Sequence, residues 1–478
     1  MSKGILSYLA CATILCSGAA LPLTTAHAMD ETAAQKTVAS KDVRESIGQS
    51  IREAVASGVK TNPEYNAIAA SRRATDQELR QGYALYRPSL DLSADTGYEL
   101  TDDSTTRTIT GDDEELWRSQ ASLTLTQMLF DGFSTKYEVE RQKARVTSSA
   151  HRVRETTELV GLSIVEAYLN VLRQRYLSAI SQENVNDHKE ILNQIETGVD
   201  AGRSTQADLE QARARLASAE AAQANVLESL ETAESQYYRE VGAEPGALIM
   251  PTVPYSALHT ALEDEITYAL AKSPTLSVFE SDIEVAYAEA LGTQSTYYPQ
   301  VDLQVAGTYA DDIGGVEAYE RGASALVVAN WNLYRGGADV AREREFRYRH
   351  EQAKAQYSEA ARGLEDEVRR TWAAMIAAGS RAEKYDNQAN ANEEVVAAYK
   401  DQFTLNRRTL LDVLDAQNEL FVSKTNKINA EFVQMFSVYR LVALRGELLS
   451  ALGIPSIDAD LTETAQTEWQ EMRKMKAR

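Results

Sequence analysis

Two long segments of the chain resemble each other at a fixed spacing. Pro63 and Pro88 bracket a helical pattern, and Pro274 and Pro299 bracket a second one at the same offset. Other matched pairs keep this offset or a slightly shorter one: Asp91 with Asp302, Tyr98 with Tyr309, Leu129 with Leu333, Tyr168 with Trp372, Thr205 with Thr409, and Asp208 with Asp412. Matches at this many places predict a tandem duplication, so two copies of one structural unit are expected.

Each copy shows the same order of elements. A helix is predicted to begin after Asn62 or Ser273, because a good N-cap is followed by proline at the first helical position. A second proline ends that helix, and alternating polar and apolar runs follow. These runs predict strand pairs at residues 89–130 and 301–334. Individual runs of about 9 to 14 residues suit strands that cross a membrane at a tilt.

Long helical hairpins are predicted after the strands, at residues 133–240 and 337–452, where proline is absent. Apolar residues recur every seven positions in the second hairpin, at Leu414, Phe421, Ile428, Met435, Val442 and Leu449. Such a repeat is typical of coiled coils. The first copy is therefore assigned to residues 29–254, including a linker, and the second to residues 255–454. The expected fold class is mainly α, with a membrane β-barrel part.

Four strands cannot close a membrane barrel alone, because an open edge exposes unpaired backbone groups to lipid. A dimer would supply eight strands and a trimer twelve, and spacing does not choose between them. A coiled-coil rod without a membrane role explains the helices but not the strands.

The two ends of the chain have distinct compositions. Residues 1–28 are expected to be an export signal, with Lys3, an apolar stretch and a small-x-small cleavage site. Alternatives are an N-terminal membrane anchor or a lipid anchor at Cys11, which leaves little apolar sequence upstream. The tail at residues 455–478 mixes charges with few apolar residues and receives no function.

Composition argues against several classes of protein. The chain has 49 Lys and Arg against 71 Asp and Glu, a formal net charge of −22, so no nucleic-acid partner is expected. Motifs of nucleotide-binding loops, zinc proteases and serine hydrolases are absent. The histidines of the mature chain, His151, His188, His259 and His350, lack ligand spacing. We therefore expect neither an enzyme nor a cofactor, and no resident metal.

Residues 408–416, Arg-Thr-Leu-Leu-Asp-Val-Leu-Asp-Ala, resemble the periplasmic-tip motif of the TolC family of outer-membrane channel-tunnel proteins. The resemblance covers essentially the whole mature chain. It implies a homotrimer with a twelve-stranded β-barrel in outer-membrane lipid and an α-barrel tunnel of duplicated hairpins. It also implies location in the outer membrane of a Gram-negative bacterium, extending into the periplasm.

The resemblance further implies a passive exit duct. Its partners would be a periplasmic adaptor protein and an inner-membrane exporter, either ABC or proton-driven. Type I protein secretion is the preferred cargo route, and small-molecule efflux is the other. The alternative is a periplasmic coiled-coil adaptor or structural scaffold without a pore, although two matched halves argue against an adaptor.

Asp412 and Asp415 are three residues apart, which places both carboxylates on one helix face. By resemblance they form the acidic constriction at the tunnel entrance, where multivalent cations can block. Asp208, Phe403 and Arg408 match positions of the family's closure network, in which Arg408 would donate a charge-assisted hydrogen bond to Asp208. Phenylalanine replaces the tyrosine often found in the family, so no hydroxyl acts there.

Local structure offers a second interpretation of the tips. Gly202 and Asn406 accept left-handed backbone geometry and are predicted as the tip turns. Asp208 and Asp412 each follow a threonine by three residues, a spacing that also predicts capping boxes. Arg408 could equally be a solvated surface charge.

Aromatic residues mark the predicted junctions between strands and helices: Tyr86, Phe130, Tyr297, Tyr298 and Tyr334. An interfacial belt and ordinary packing explain them almost equally well. Trp117 and Trp331 are placed in strands, and the sequence does not settle which way they face.

Overall fold

The computed structural model describes residues 49–109, 111, 113–405 and 407–455. The predicted export signal, the tail beyond Pro455 and Asn406 at the second tip lie outside the described residues.

The described part of the chain is mostly helical. The helices are α1 (Ile51–Thr61), α2 (Pro63–Ala84), α3 (Ser104–Ile109), α4 (Ser134–Asp200), α5 (Gln206–Val241), α6 (Leu262–Lys272), α7 (Pro274–Gly292), α8 (Ala338–Thr404), α9 (Leu410–Leu444) and α10 (Leu448–Ala451). The strands are β1 (Ser89–Thr101), β2 (Glu114–Phe130), β3 (Gln300–Asp311) and β4 (Tyr319–Asn330). None of the helices in these ranges is long and apolar enough to cross a membrane.

The four strands form one antiparallel sheet in the order β1-β2-β3-β4. Leu92 pairs with Leu123, Leu123 with Gly307, and Gly307 with Ala323, so these residues share one face. The outer edges of β1 and β4 have no partner strand within the described chain.

The fourth strand ends earlier than predicted. It stops at Asn330, which pairs with Gln300, because β3 begins there and offers no partner to the following residues. Trp331 and Tyr334 therefore lie between β4 and α8, and the prediction that Trp331 belongs to a strand is wrong. Trp117 lies in β2 opposite Tyr98, on the face that carries the leucines of β1.

The strand-helix junction after β2 is closely packed. The rings of Phe130 and Phe133 make an edge contact at 5.5 Å, and each also contacts the ring of Tyr298. Gly132 adopts a φ of +68°, and a Cβ there would lie 2.7 Å from the Ser295 carbonyl oxygen. Phe130 and Tyr298 therefore take part in ring packing at this junction, although Tyr298 is about half exposed, and Tyr334 is more exposed still.

Two 67-residue helices, α4 and α8, each extend roughly 100 Å at 1.5 Å per residue. Helix α4 returns through α5, and α8 returns through α9. Helix α4 also packs against α9, so the two hairpins lie side by side. Helix α4 ends at Asp200, inside the hairpin predicted over residues 133–240.

The largest core lies where the short helices meet the hairpins. Tyr168, Tyr237 and Tyr439 are fully buried there. The Tyr168 hydroxyl shares its one hydrogen between the carbonyl oxygens of Gln49 (2.8 Å) and Ile249 (2.6 Å), which ties both segments to α4. This core holds the hairpins together far from their tips.

Candidate functional site at the hairpin tips

The first hairpin turns between α4 and α5. Gly202 has a φ of +70°, as predicted for a tip turn, and no atom lies near the position of a Cβ. The Gly198 carbonyl oxygen accepts the amide N–H groups of Arg203 (2.7 Å) and Ser204 (3.1 Å). These bonds satisfy the end of α4, so the turn is closed by its own backbone.

Both return helices begin with capping boxes. The Asp208 amide donates to the Thr205 hydroxyl oxygen (3.2 Å), and the Thr205 amide donates to the Asp208 carboxylate (3.0 Å). Thr409 and Asp412 repeat this arrangement at 3.3 and 3.1 Å. The capping interpretation of both aspartates is thus confirmed, and in each the capping bonds go to Oδ2 of the carboxylate.

The Asp412 carboxylate is held in its charged form. The Thr409 hydroxyl donates to it at 2.8 Å, and the Thr409 amide and the Arg408 guanidinium add to this stabilisation. Together these contacts lower the pKa of Asp412 below its ordinary value. The group therefore carries a negative charge at the tip throughout the physiological pH range.

Asp415, one turn further along α9, faces the first hairpin. Its Oδ1 atom lies 3.1 Å from Nη2 of Arg215 on α5, and both side chains are about half exposed. Sequence reasoning missed Arg215, although it lies seven residues after Asp208 and so on the same helix face. The second predicted constriction carboxylate is thus partly neutralised within its own chain.

Arg408 contacts its own hairpin. Its guanidinium lies 4.2 Å from the centre of the Tyr399 ring, Nε donates to the Gln402 side chain at 3.2 Å, and Nη1 lies 3.8 Å from Asp412. Among the described residues of this chain, Arg408 and Asp208 form no ion pair. The predicted bond between these two residues remains a prediction for contacts between neighbouring copies.

Phe403 packs at the edge of a small apolar cluster at the tips, together with Tyr399. The buried members of this cluster are Ile191, Ile195, Leu209, Ala212, Leu410, Val413 and Leu414. These members come from α4, α5 and α9, and Tyr399 and Phe403 add α8, so the cluster joins the two hairpins. Phe403 therefore contributes packing rather than a polar link.

A row of polar contacts joins the hairpins above this cluster. Asp187 on α4 contacts Lys400 on α8 (3.4 Å) and the amide of Gln417 on α9, and Glu183 pairs with Lys424 (3.3 Å). No group of His, Cys, Asp or Glu in the described ranges is arranged to hold a metal ion. The tip region is a surface of paired charges over an apolar seam.

A four-stranded sheet with two open edges, continued by two helical hairpins of roughly 100 Å with charged tips, defines a class: the subunits of outer-membrane channel-tunnels. Residues 57–243 and 266–447 match the sequence model of the outer membrane efflux protein family. The chain belongs to this family, and the predicted resemblance to TolC-type channels is confirmed. Its place is the outer membrane of a Gram-negative bacterium, with a tunnel that extends into the periplasm.

Relatives match over most of their length. The chain is 25% identical over 415 residues to the outer membrane efflux protein BepC of Brucella suis, covering 84% of this chain and 86% of BepC. It is 22% identical over 405 residues to the alkaline protease secretion protein AprF of Pseudomonas aeruginosa, covering 82% and 83%. The crystal structure of the Campylobacter jejuni CmeC outer membrane channel superimposes with a TM-score of 0.73 at 13% identity, covering 87% and 89%.

Proposed function

We propose that three copies of this chain assemble into a passive outer-membrane exit duct. The observation that carries this proposal is the pair of open sheet edges, on β1 and β4. Unpaired backbone groups on such edges are not tolerated in lipid, and pairing of β4 with β1 of the next copy removes both edges. Three copies then give the twelve strands that the family resemblance implies.

The polarity of the sheet supports this assembly. One face carries Leu90, Leu92 and Leu123, while the opposite face carries Asp95, Glu99 and Arg118. Arg118 Nη2 lies 2.7 Å from the Asp95 carboxylate across the strand pair. An apolar outer face and a polar inner face are the pattern of a barrel that encloses water.

The helical hairpins continue this barrel as a tunnel through the periplasm. Six hairpins, two from each copy, bring their tips to one opening. Since an open duct has no source of energy, a periplasmic adaptor and an inner-membrane exporter, ABC or proton-driven, supply cargo and work. The names of two relatives, an outer membrane efflux protein and an alkaline protease secretion protein, are consistent with a duct that receives cargo from such partners.

At the opening, Asp412 and Asp415 of three copies form an acidic ring. Such a ring favours cations and is blocked by multivalent ones when it is narrow compared with the Debye length of about 8 Å. Arg408 of one copy reaches Asp208 of the next and holds the tips closed, with Phe403 packed beneath. Within the described chain the capping bonds of Asp208 use Oδ2, which leaves Oδ1 to accept that bond.

Two classes of cargo are considered, secreted proteins and small molecules. BepC is named an efflux protein and AprF an alkaline protease secretion protein, so relatives of comparable identity carry both kinds of name. We place type I protein secretion first, with AprF as the relative whose name carries that route, and small-molecule efflux second.

Cross-linking across the edges tests the assembly. Both cysteines lie in the predicted export signal, so the mature chain offers no native thiol. A variant with one cysteine on β1 and one on β4 therefore reports only the designed contact between copies. Oxidation is expected to give covalent dimers and trimers and no larger species. A matched pair of cysteines on β2 and β3, which are interior strands, should not link copies. Covalent species that stop at dimers, or no cross-links from folded protein, contradict the trimer.

A further inference from the structure

One cation lies on the apolar face of the sheet. The register places Ala94, Ala121, Tyr309 and Arg321 side by side in one row, on the same face as the leucines of β1. Arg321 is the only Lys or Arg that the four strands, all of them described, carry on this face. An arginine directed at lipid needs a partner, because a bare guanidinium in hydrocarbon is costly.

Two tyrosines flank this guanidinium. Its carbon lies 5.2 Å from the centre of the Tyr319 ring and 5.7 Å from that of Tyr309, distances typical of cation–π contacts. Arg321 forms no ion pair with a carboxylate of the described residues. Asp311, in the neighbouring row, instead accepts the Tyr309 hydroxyl at 3.3 Å, which helps to orient that ring. The two rings contact the Arg321 guanidinium, and no group in the described part of the chain forms a hydrogen bond with it.

The distance of Arg321 from the helical end of β4 indicates which part of the membrane surrounds it. It lies about nine residues from Asn330 at the helical end of β4, on the order of 30 Å along a strand. With a tilt near 45° this is roughly 20 Å above the base of an apolar band about 25 Å tall. Tyr98 and Trp117, in edge contact at 5.4 Å, mark the same distal end. Because the helices occupy the periplasmic side, this end faces the outer leaflet.

We propose that Arg321, between Tyr309 and Tyr319, binds the phosphate of an outer-leaflet glycolipid. A guanidinium presents paired N–H donors that match a phosphate, and the two rings flank the guanidinium. The site rests on the proposed insertion of the sheet in the membrane. It is independent of the gate at the tips, which lies at the opposite end of the molecule.

Titration with lipid tests the site. The full mature protein, purified in mild detergent, is titrated with bisphosphorylated lipid A, and bound lipid is counted by native mass spectrometry. R321A is expected to weaken binding about tenfold, the effect of losing a charged hydrogen-bond donor. R321K keeps the charge but loses the planar fork, so a loss of about threefold is expected. R118A, on the opposite sheet face, is the matched control and should bind as the wild type does.

Three further ligands, tested in the same titration, identify which group of the lipid is bound. Dephosphorylated lipid A should bind the wild type about as weakly as lipid A binds R321A, and inorganic phosphate should compete poorly. Equal affinity of lipid A for wild type and R321A overturns the proposal. Phosphatidylglycerol that binds as tightly as lipid A, with the same loss in R321A, overturns the assignment to a glycolipid.

The proposed trimer and the proposed lipid site can be refuted independently. R321K retains a cation of similar length, so it reports on the site even where R321A does not assemble. Edge cross-linking of the same preparations shows whether trimers form. Trimers that form while lipid A affinity is unchanged refute this site alone, whereas absent trimers refute the proposed duct.

Discussion

Arg215 on α5 forms an ion pair with Asp415 on α9, with 3.1 Å between Nη2 and Oδ1. The contact links the two hairpins of one copy close to their tips, and it neutralises part of the predicted acidic entrance. Because both side chains are about half exposed, the pair contributes little to the free energy of folding. The pair matters instead because it reduces the negative charge of the predicted entrance.

Removing this arginine should strengthen the acidic ring. In R215Q the Asp415 carboxylate becomes free, so the pore is expected to become more cation-selective and to be blocked by multivalent cations at several-fold lower concentration. Single-channel recording in planar bilayers measures both. R213Q is the matched control, since Arg213 pairs with Glu196 and Glu210 of its own hairpin. Equal block of wild type and R215Q would show that Asp415 does not face the opening.

The capping box of α9 should set the local stability of the second tip. T409A removes the hydroxyl that accepts the Asp412 amide and donates to its carboxylate, so the first turn is expected to lose about 1 kcal/mol. Hydrogen exchange of the amides that follow Thr409 should accelerate roughly fivefold. T205A should do the same at the first tip. T404A, whose hydroxyl donates to the Asp401 carbonyl at the end of α8, should leave this exchange unchanged.

Acid should loosen the same turn. The hydrogen bonds from Thr409 and the charge of Arg408 lower the pKa of Asp412 below its ordinary value of 3.8. A group with a lowered folded pKa contributes stability that is present above its unfolded pKa and is lost as the pH falls through the folded one. Protection factors at the start of α9 should therefore be constant from pH 7 to about pH 5 and fall below about pH 4. D412N should remove this dependence, and an unchanged pH profile in D412N contradicts the assignment.

Far from the tips, a buried ion pair anchors α6 to the end of α9. Arg445 Nη1 lies 3.2 Å from the Glu265 carboxylate, and the side chains are 2% and 1% exposed. R445M leaves the buried Glu265 carboxylate without its guanidinium partner, so a loss of about 3–5 kcal/mol is expected. Thermal unfolding of the purified assembly measures it. The double variant R445M/E265Q should recover part of the loss, and R440M, which breaks an exposed pair with Glu367, should cost less than about 1 kcal/mol.

Local patterns in the sequence were sufficient for much of the fold. The N-caps Asn62 and Ser273 each precede proline at the start of a helix, and the spacing of Thr409 and Asp412 gave the capping box. Gly202 has the left-handed backbone expected of a tip turn. These features depend on residues within one turn of each other, which the sequence places together directly.

Contacts between distant segments could not be read in the same way. Nothing near Asp415 in the sequence indicates Arg215, because their proximity depends on how two hairpins pack. The early end of β4 likewise depends on where β3 begins, and the facing of Trp117 follows from its register with Tyr98. Each of these requires the pairing of elements, which periodicity alone does not determine.

Single-channel conductance of the full mature protein in a planar bilayer tests the central claim most directly. The wild type is expected to form small, cation-selective pores that a trivalent cation blocks from the tip side. In D412N/D415N the block should disappear, while D401N, which changes a tip carboxylate on α8 outside the predicted ring, should be blocked as the wild type is. Absence of pores from folded trimers, or full block of D412N/D415N, would contradict a duct gated at these tips.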